Sequence, residues 1–317
     1  METTFEFEKP ILEIEKMIEK LRKLSDDNKG DFTEQINELE QKCRDRKREI
    51  YENLSPWETV QIARHPKRPI LQDYIRLMLT DFIELHGDRL YGDDRAIIGG
   101  FATIGKTKVM LIGQNKGRTV EENLERNFAM SNPEGYRKAL RLMRLAQKYG
   151  LPVVTIIDTP AAFPGKEAEE RGQAEAIARN LTEMARLETP IVSVVIGEGG
   201  SGGAIGIGVC DTLLMLSNSI YSVIPPEGCA AILWRDSSYA PQAAEALKLT
   251  ARELKQLGIA DEVIQEPIGG AHSNHEETAA AVKRVLLRHL KRLKGTSGSR
   301  LLSRRFDKYS KIGVFNR

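Results

Sequence analysis

The chain has 317 residues, 41% hydrophobic and 29% charged, which fits an ordinary globular protein able to bury a sizeable core. Its net charge of +2 gives no reason to expect nucleic acid as a partner. The three cysteines, Cys43, Cys210 and Cys229, are far apart and form no CxxC pair, so neither a disulfide framework nor a metal site is expected and a reducing, cytoplasmic setting fits.

The chain opens on METTFEFEKPILEIEK, which is acidic and lacks the apolar stretch of a secretory signal. No run of about 18 apolar residues offers a membrane span. Over 8–54, Ile11, Ile14, Ile18, Leu21 and Leu24 recur at spacings of three and four. Asp26 to Gly30 breaks the run, and Ile36, Leu39, Cys43, Ile50 and Leu54 form a weaker second stripe. Two antiparallel helices are expected, within an N-terminal extension of residues 1–69 that carries no evident chemistry. Residues 70–293 form the expected body. Strands are predicted at 96–104 and 108–113, joined by a turn at Gly105-Lys106. A helix at 136–149, a strand at 152–157, a helix at 172–187 and a strand at 190–196 follow. Another helix opens near Gly203, before a strand at 212–216. This alternation calls for an α/β fold around a buried, largely parallel sheet. Ser273 to Glu276 reads as a capping box for a helix ending near Leu293. Residues 294–317 form a basic tail, linked through 295–299 and expected to dock on a surface.

The densest chemical signal is Gly197 to Gly203, where five of seven residues are glycine. Such a segment between strand and helix permits φ > 0 and close approach to a ligand. Its N–H groups can hold an anion, or an oxyanion that forms during reaction. The bland alternative is a tight crossover whose glycines serve packing alone. Gly197, Gly199 and Gly202 also match the dinucleotide fingerprint, but the positions about 20 residues on, Leu216, Ser217 and Asn218, lack the acid it needs. Gly199-x-Ser201-x-Gly203 matches a nucleophile elbow, which makes Ser201 the candidate of a serine-hydrolase alternative. That reading needs a histidine base, and three of the five histidines (His272, His275, His289) lie near the C-terminus. A P-loop nucleotide-binding alternative rests on Gly100 to Thr107, which fits G-x-x-x-x-G-K-[ST]. The segment after Lys106, however, reads as a strand and not a helix. Residues 157–165 and 222–230 each follow a strand and either face the glycine segment or act as punctuation; Pro226 suits a first helical turn. No paired carboxylates and no general base stand out, so the chemistry reads as backbone-amide stabilisation with a cofactor supplying the reactive group.

LHGDRLYGDDRAIIGG (85–100), NPEGYRKALRLM (132–143), AEERGQAEAIARNL (168–181), IGEGGSGGAIGIGV (196–209), YSVIPPEGCAAILW (221–234) and EPIGGAH (266–272) closely resemble the alpha-subunit family of the acetyl-CoA carboxylase carboxyltransferases. The resemblance runs to about residue 293 and implies a crotonase-like ββα superhelix behind the helical hairpin. It implies transfer of a carboxyl group from N1 of carboxybiotin to the methyl of acetyl-CoA, giving malonyl-CoA, the first committed step of fatty acid synthesis. It further implies backbone amides of Gly202 and Gly203 as an oxyanion hole. A carboxybiotin pocket would be formed by Gly199, Gly200, Ser201, Ala162, Phe163, Pro164, Gly165, Pro226, Glu227 and Gly228. The freed biotin would take the methyl proton. The implied partners are a beta subunit with a zinc ribbon and the CoA site, a biotin carboxyl carrier protein and a biotin carboxylase. An α2β2 heterotetramer is the family habit. No metal is expected on this chain, and ATP would be used on another subunit. Met-Lys-Met is absent, so biotin should arrive on a separate carrier. The family usually has glycine where Ala161 stands.

Overall fold

The spacing of isoleucines and leucines over the first 54 residues produces two packed helices, α1 (Lys9–Asp26) and α2 (Thr33–Glu52). Ile11, Ile14, Ile18, Ile36, Leu39 and Cys43 form their seam. Arg22–Glu40 and Lys47–Glu15, each at 2.6 Å, flank it. The computed structural model describes residues 5–26 and 30–313, so positions 27–29 of the expected turn lie outside the described residues. A third helix, α3 (Pro56–Ala63), opens on a capping box of Ser55 and Glu58 and buries Val60 and Ala63 beside Ile220, Ala244 and Leu249.

The body begins with α4 (Leu71–Met78), β1 (Leu79–Glu84), β2 (Ile97–Ile104) and β3 (Thr107–Gln114). It continues through α5 (Val120–Glu125), α6 (Pro133–Lys148), β4 (Val153–Thr159), α7 (Lys166–Glu170), α8 (Gln173–Arg186) and β5 (Ile191–Gly200). After α9 (Ser201–Ile205) come β6 (Thr212–Leu216), β7 (Ile220–Ser222), α10 (Pro226–Trp234), α11 (Ala240–Leu247), α12 (Ala251–Gln256) and β8 (Glu262–Ile264). Two helices, α13 (His275–Leu293) and α14 (Gly298–Ser310), complete the chain.

The sheet order is β1-β2-β3-β4-β5-β6-β8, with β7 paired to β5. β1, β2 and β3 are antiparallel neighbours, and β3 through β8 add in parallel. Successive residues of β3, β4 and β5 point to opposite faces and are buried on both. Met110, Ile112, Val153, Ile157, Ile191 and Val195 pack toward α6 and α8. Leu111, Val154, Ile156, Val192 and Val194 pack toward α4 and α13. Burial on two faces explains why these strands read as unbroken apolar runs.

The P-loop look-alike is the expected hairpin: Ile104 pairs with Thr107, Gly105 takes φ +60°, and β3 rather than a helix follows. The helix cap near residue 273 sits one position later than the sequence suggests. Asn274 caps α13, and its side-chain oxygen accepts from the Glu277 N–H at 3.0 Å. The basic tail docks as α14 through Arg305, which is 1% exposed. Its guanidinium grips Asp211 at 2.8 and 3.0 Å and the carbonyls of Met184, Leu187 and Thr189. β1, α11, α12 and the three-residue β8 go unread in the sequence, because each is too short or too exposed to show a period. Among the described residues, no helix is long and apolar enough to cross a membrane.

Candidate active site at the carboxyl edge of the parallel strands

Because β3, β4 and β5 are parallel, their carboxyl ends at Gln114, Thr159 and Gly200 reach the same edge of the sheet. Open α/β sheets bind ligands at that edge. The glycine segment is less of a loop than the sequence suggests. Glu198, Gly199 and Gly200 continue β5 and pair with Ile220, Tyr221 and Ser222 of β7, and α9 starts at the next residue. None of the five glycines takes positive φ; the left-handed residue at the junction is Ser201, at φ 49°.

Close approach, not φ, accounts for four of the five glycines. A Cβ on Gly197 would lie 2.5 Å from the Asp158 carboxylate, and on Gly199 2.2 Å from the Tyr221 ring. On Gly200 it would lie 1.9 Å from the Pro160 carbonyl oxygen, and on Gly203 2.4 Å from the Ala161 carbonyl carbon. Residues 160–162 and 220–222 therefore press directly on the glycine segment. Gly202 is different. Its Cβ would meet only Ile177 Cδ1, at 3.4 Å, an ordinary contact, and Gly202 is half-buried at the start of α9.

First-turn amides of a helix have no intrahelical acceptor, which leaves those of Gly202 and Gly203 available. The flanking peptide planes are fixed. The Gly202 carbonyl accepts from the Gly206 N–H at 3.0 Å, and the Gly203 carbonyl accepts from Gln114 Nε2 at 2.7 Å. The Gln114 side-chain oxygen accepts from the Asp158 N–H at 2.9 Å, so one buried amide ties the two loops together. Ala161 keeps a negative φ, and its carbonyl accepts from the Thr159 hydroxyl at 2.7 Å, so its methyl adds no left-handed strain. Phe163 is held by Ser131 and Gln173, and Gly165 abuts the Phe163 ring before α7.

A cleft of about 10 Å³ lies between Arg64, Pro160, Gly199, Gly200, Ser222 and Pro226. Of the residues expected around the pocket, Gly199, Gly200 and Pro226 line it. Glu227 borders it through an ion pair with Arg64, whereas Ala162, Phe163, Pro164, Gly165, Ser201, Gly228 and the expected oxyanion pair Gly202 and Gly203 do not line it.

Sequence reading missed the charges beneath this edge. Lys116 Nζ lies 2.7 Å from Asp158 and 3.1 Å from Glu198, and Glu198 also accepts from Arg64 Nε at 2.6 Å. Burial pushes the Glu198 carboxyl up, but Lys116 and Arg64 outweigh it and hold the group below the usual carboxylate range. Burial likewise works against the Lys116 ammonium, and Asp158 and Glu198 raise it above its ordinary value. These are committed ion pairs, not a free base. Their signal in the sequence was a lone acid inside each apolar run, Asp158 in VVTIIDT and Glu198 in IVSVVIGEGG.

The hydrolase alternative lacks its base. His65 stacks on His272 with centroids 3.8 Å apart, His86 meets Asp93, His275 meets the Lys67 carbonyl and His289 meets Glu262. Among the described residues, no histidine bonds to Ser201, and no three potential ligands cluster as a metal site.

Residues 4–313 match the family described as acetyl co-enzyme A carboxylase carboxyltransferase-like. The chain is also 54% identical over 310 residues, 98% of its length, to the acetyl-coenzyme A carboxylase carboxyl transferase subunit alpha of Anoxybacillus flavithermus, of which it covers 95%. This chain belongs to the acetyl-CoA carboxylase carboxyltransferase alpha-subunit family. The protein of the same name from Burkholderia cenocepacia is 54% identical over 316 residues, covering 99% of this chain and 98% of that one. Among solved structures, the family fold recurs in transcarboxylase 12S, with TM-score 0.56, 15% identity, and 79% of this chain and 43% of that chain covered. The beta subunit of P. aeruginosa geranyl-CoA carboxylase gives TM-score 0.55 at 15% identity, with 83% and 48% covered. A Pseudomonas malonate decarboxylase hetero-tetramer in complex with coenzyme A gives 0.57 at 15%, with 69% and 89% covered. The fold is the crotonase-like ββα superhelix that the resemblance implied.

Proposed function

We propose that this alpha subunit forms the carboxybiotin side of a carboxyltransferase that makes malonyl-CoA from acetyl-CoA. Family membership over nearly the whole chain supports the reaction. The observation that favours this site is Gly202, the one glycine of the segment that packing does not require, beside two first-turn amides without intrahelical acceptors. Carboxybiotin supplies a carboxyl group on a ureido nitrogen. The donor set here suits such a group: amides rather than a strong cation, since Lys116 and Arg64 are bound to carboxylates. Gly202 and Gly203 then donate to the ureido oxygen as negative charge grows on it. The Gly203 N–H shares its peptide plane with the Gly202 carbonyl, which the Gly206 N–H holds at 3.0 Å, and Pro160, Gly199, Gly200 and Pro226 border the ring. Among the described residues the charged groups around the cleft, Lys116, Asp158, Glu198, Arg64 and Glu227, are tied into ion pairs, in keeping with proton removal by the released biotin.

A beta subunit carrying the CoA site and a zinc ribbon completes the enzyme in this reading. A separate biotin carrier and an ATP-using biotin carboxylase supply the donor. Residues 70–293 form the catalytic body, 1–69 the extension and 294–317 the docked tail.

Gly202→Ala tests the assignment. The added methyl meets no backbone, and alanine favours a helix over glycine by about 1 kcal/mol, so thermal stability should hold or rise. Carboxyl transfer by the reconstituted complex should fall about 10- to 100-fold, because the methyl displaces the ring from the amides. Near-normal transfer by the assembled variant returns the segment to a packing role.

A further inference from the structure

The cleft is bounded by two elements that meet only loosely. β5 is fixed from below by Lys116, and by Arg68, whose Nε donates to the Ile196 carbonyl at 2.6 Å while its other nitrogens hold Glu266. On the opposite side, α10 is thinly anchored. Only Pro226 and Ala230 of its nine residues are buried, and Ile232 and Leu233 are 71% and 63% exposed. Arg64, at the C-terminal cap of α3, reaches across this gap. Its Nε donates to Glu198 of β5 at 2.6 Å, while Nη1 and Nη2 donate to Glu227 in the first turn of α10. Among the described residues no other side chain forms an ion pair or hydrogen bond with the side chains of α10. Glu198 is 9% exposed in its side chain, Arg64 30% and Glu227 38%, so the bridge runs from the buried strand to the open rim.

We infer that Arg64, from the N-terminal extension, is a positioning residue for the carboxyl donor, because it sets the distance between α10 and the glycine strand. Guanidinium geometry is what the task requires. One planar fork can present Nε to one carboxylate and both terminal nitrogens to another, which an ammonium on a flexible stem cannot. The cleft now has room for about one water-sized group, so a ring enters only as far as α10 yields. Arg64 therefore limits how far Pro226 stands from Gly199 and Gly200 and holds them in register. It touches neither the methyl acceptor nor the reacting atoms. This rests on the carboxybiotin reading above.

The test uses the complex of this chain with its zinc-ribbon partner, run in reverse with malonyl-CoA and free biotin as substrates. Arg64→Lys, Arg64→Ala and Glu227→Gln should each raise the KM for biotin about tenfold, and leave that for malonyl-CoA within about twofold. Combining Arg64→Lys with Glu227→Gln should add little, because both break one bridge. Exchange of the Cys229 amide, whose N–H donates to the Pro225 carbonyl at 3.0 Å at the start of α10, should quicken in the Arg64→Lys chain while its melting temperature holds, since Glu198 keeps Lys116. An assembled Arg64→Ala complex with unchanged biotin KM overturns the inference, as does an equal rise in both KM values. A wild-type complex that transfers no carboxyl group to biotin would instead overturn the function itself.

Discussion

Ser201 is the most strained residue at the site. It alone between β5 and α9 takes φ > 0, at 49°, as the nucleophile of an elbow would. A nucleophile also needs a base, and the five histidines are all engaged elsewhere. The geometry is accounted for by the sharp turn from strand to helix under the pressure of Pro160 and Ala161. Ser201→Gly should therefore stabilise the chain by about 1 kcal/mol, read from the denaturation midpoint. Ser201→Ala should keep carboxyl transfer within about threefold, and a serine-directed phosphonate should leave the protein unlabelled. The loss is small because the backbone amides, not the hydroxyl, act on the substrate in this reading. Stoichiometric labelling with loss of transfer would restore the hydrolase reading. The elbow pattern was legible in the sequence; its missing base was not, because His65 and His272 find one another across 207 positions of chain only after folding.

At the scale of elements, the N-terminal hairpin is joined to the body through aromatic and imidazole rings. Phe5 meets His65 edge-on at 5.8 Å, Tyr51 lies 6.5 Å from His272, and the Tyr51 hydroxyl donates to Glu8 at 2.7 Å. Burial, then His65, Arg68 and His275, push the His272 pKa down to about 3, against an opposing pull from Glu266. In the unfolded chain the group titrates near its ordinary 6.5. Between these values the unfolded state binds the extra proton, so stability falls as pH falls from about 6.5 toward 3. Burial lowers His65 as well, and it acts in the same sense. The urea midpoint should drop between pH 7 and 5, and His272→Phe should flatten that slope by keeping the stack without the proton site. An identical slope in the variant would remove His272 from the explanation. The two helical stripes announced the hairpin, but its docking surface required residues 5, 51, 65 and 272 to converge.

For the whole molecule, α14 closes the fold behind the sheet, far from the candidate site along the chain. Arg305 gives all of its donor nitrogens to Asp211 and three carbonyls, and Asp211 is itself 5% exposed in its side chain. Removing one partner of a buried pair leaves an uncompensated charge, at a cost of about 3–5 kcal/mol. Arg305→Met should lower stability by that order in denaturant unfolding, and Asp211→Asn in the same background should recover part of it. A cost under about 1 kcal/mol would mean that α14 contributes little to the body.

The sequence by itself determined the α/β alternation, the hairpin at Gly105, the two N-terminal helices, the tail as a docking segment and, through long family motifs, the reaction. Each of these is written in local periodicity, turn chemistry or contiguous residues. Tertiary structure decided why the glycines are glycine. The relevant neighbours, Pro160, Ala161, Tyr221 and Asp158, lie 22 to 42 positions away and approach only when β4, β5 and β7 align. It also decided that Lys116, Asp158, Glu198, Arg64 and Glu227 form one chain of charges around the cleft. No spacing announces that chain, because its members come from five separate elements and loops whose meeting depends on parallel strands ending at one edge.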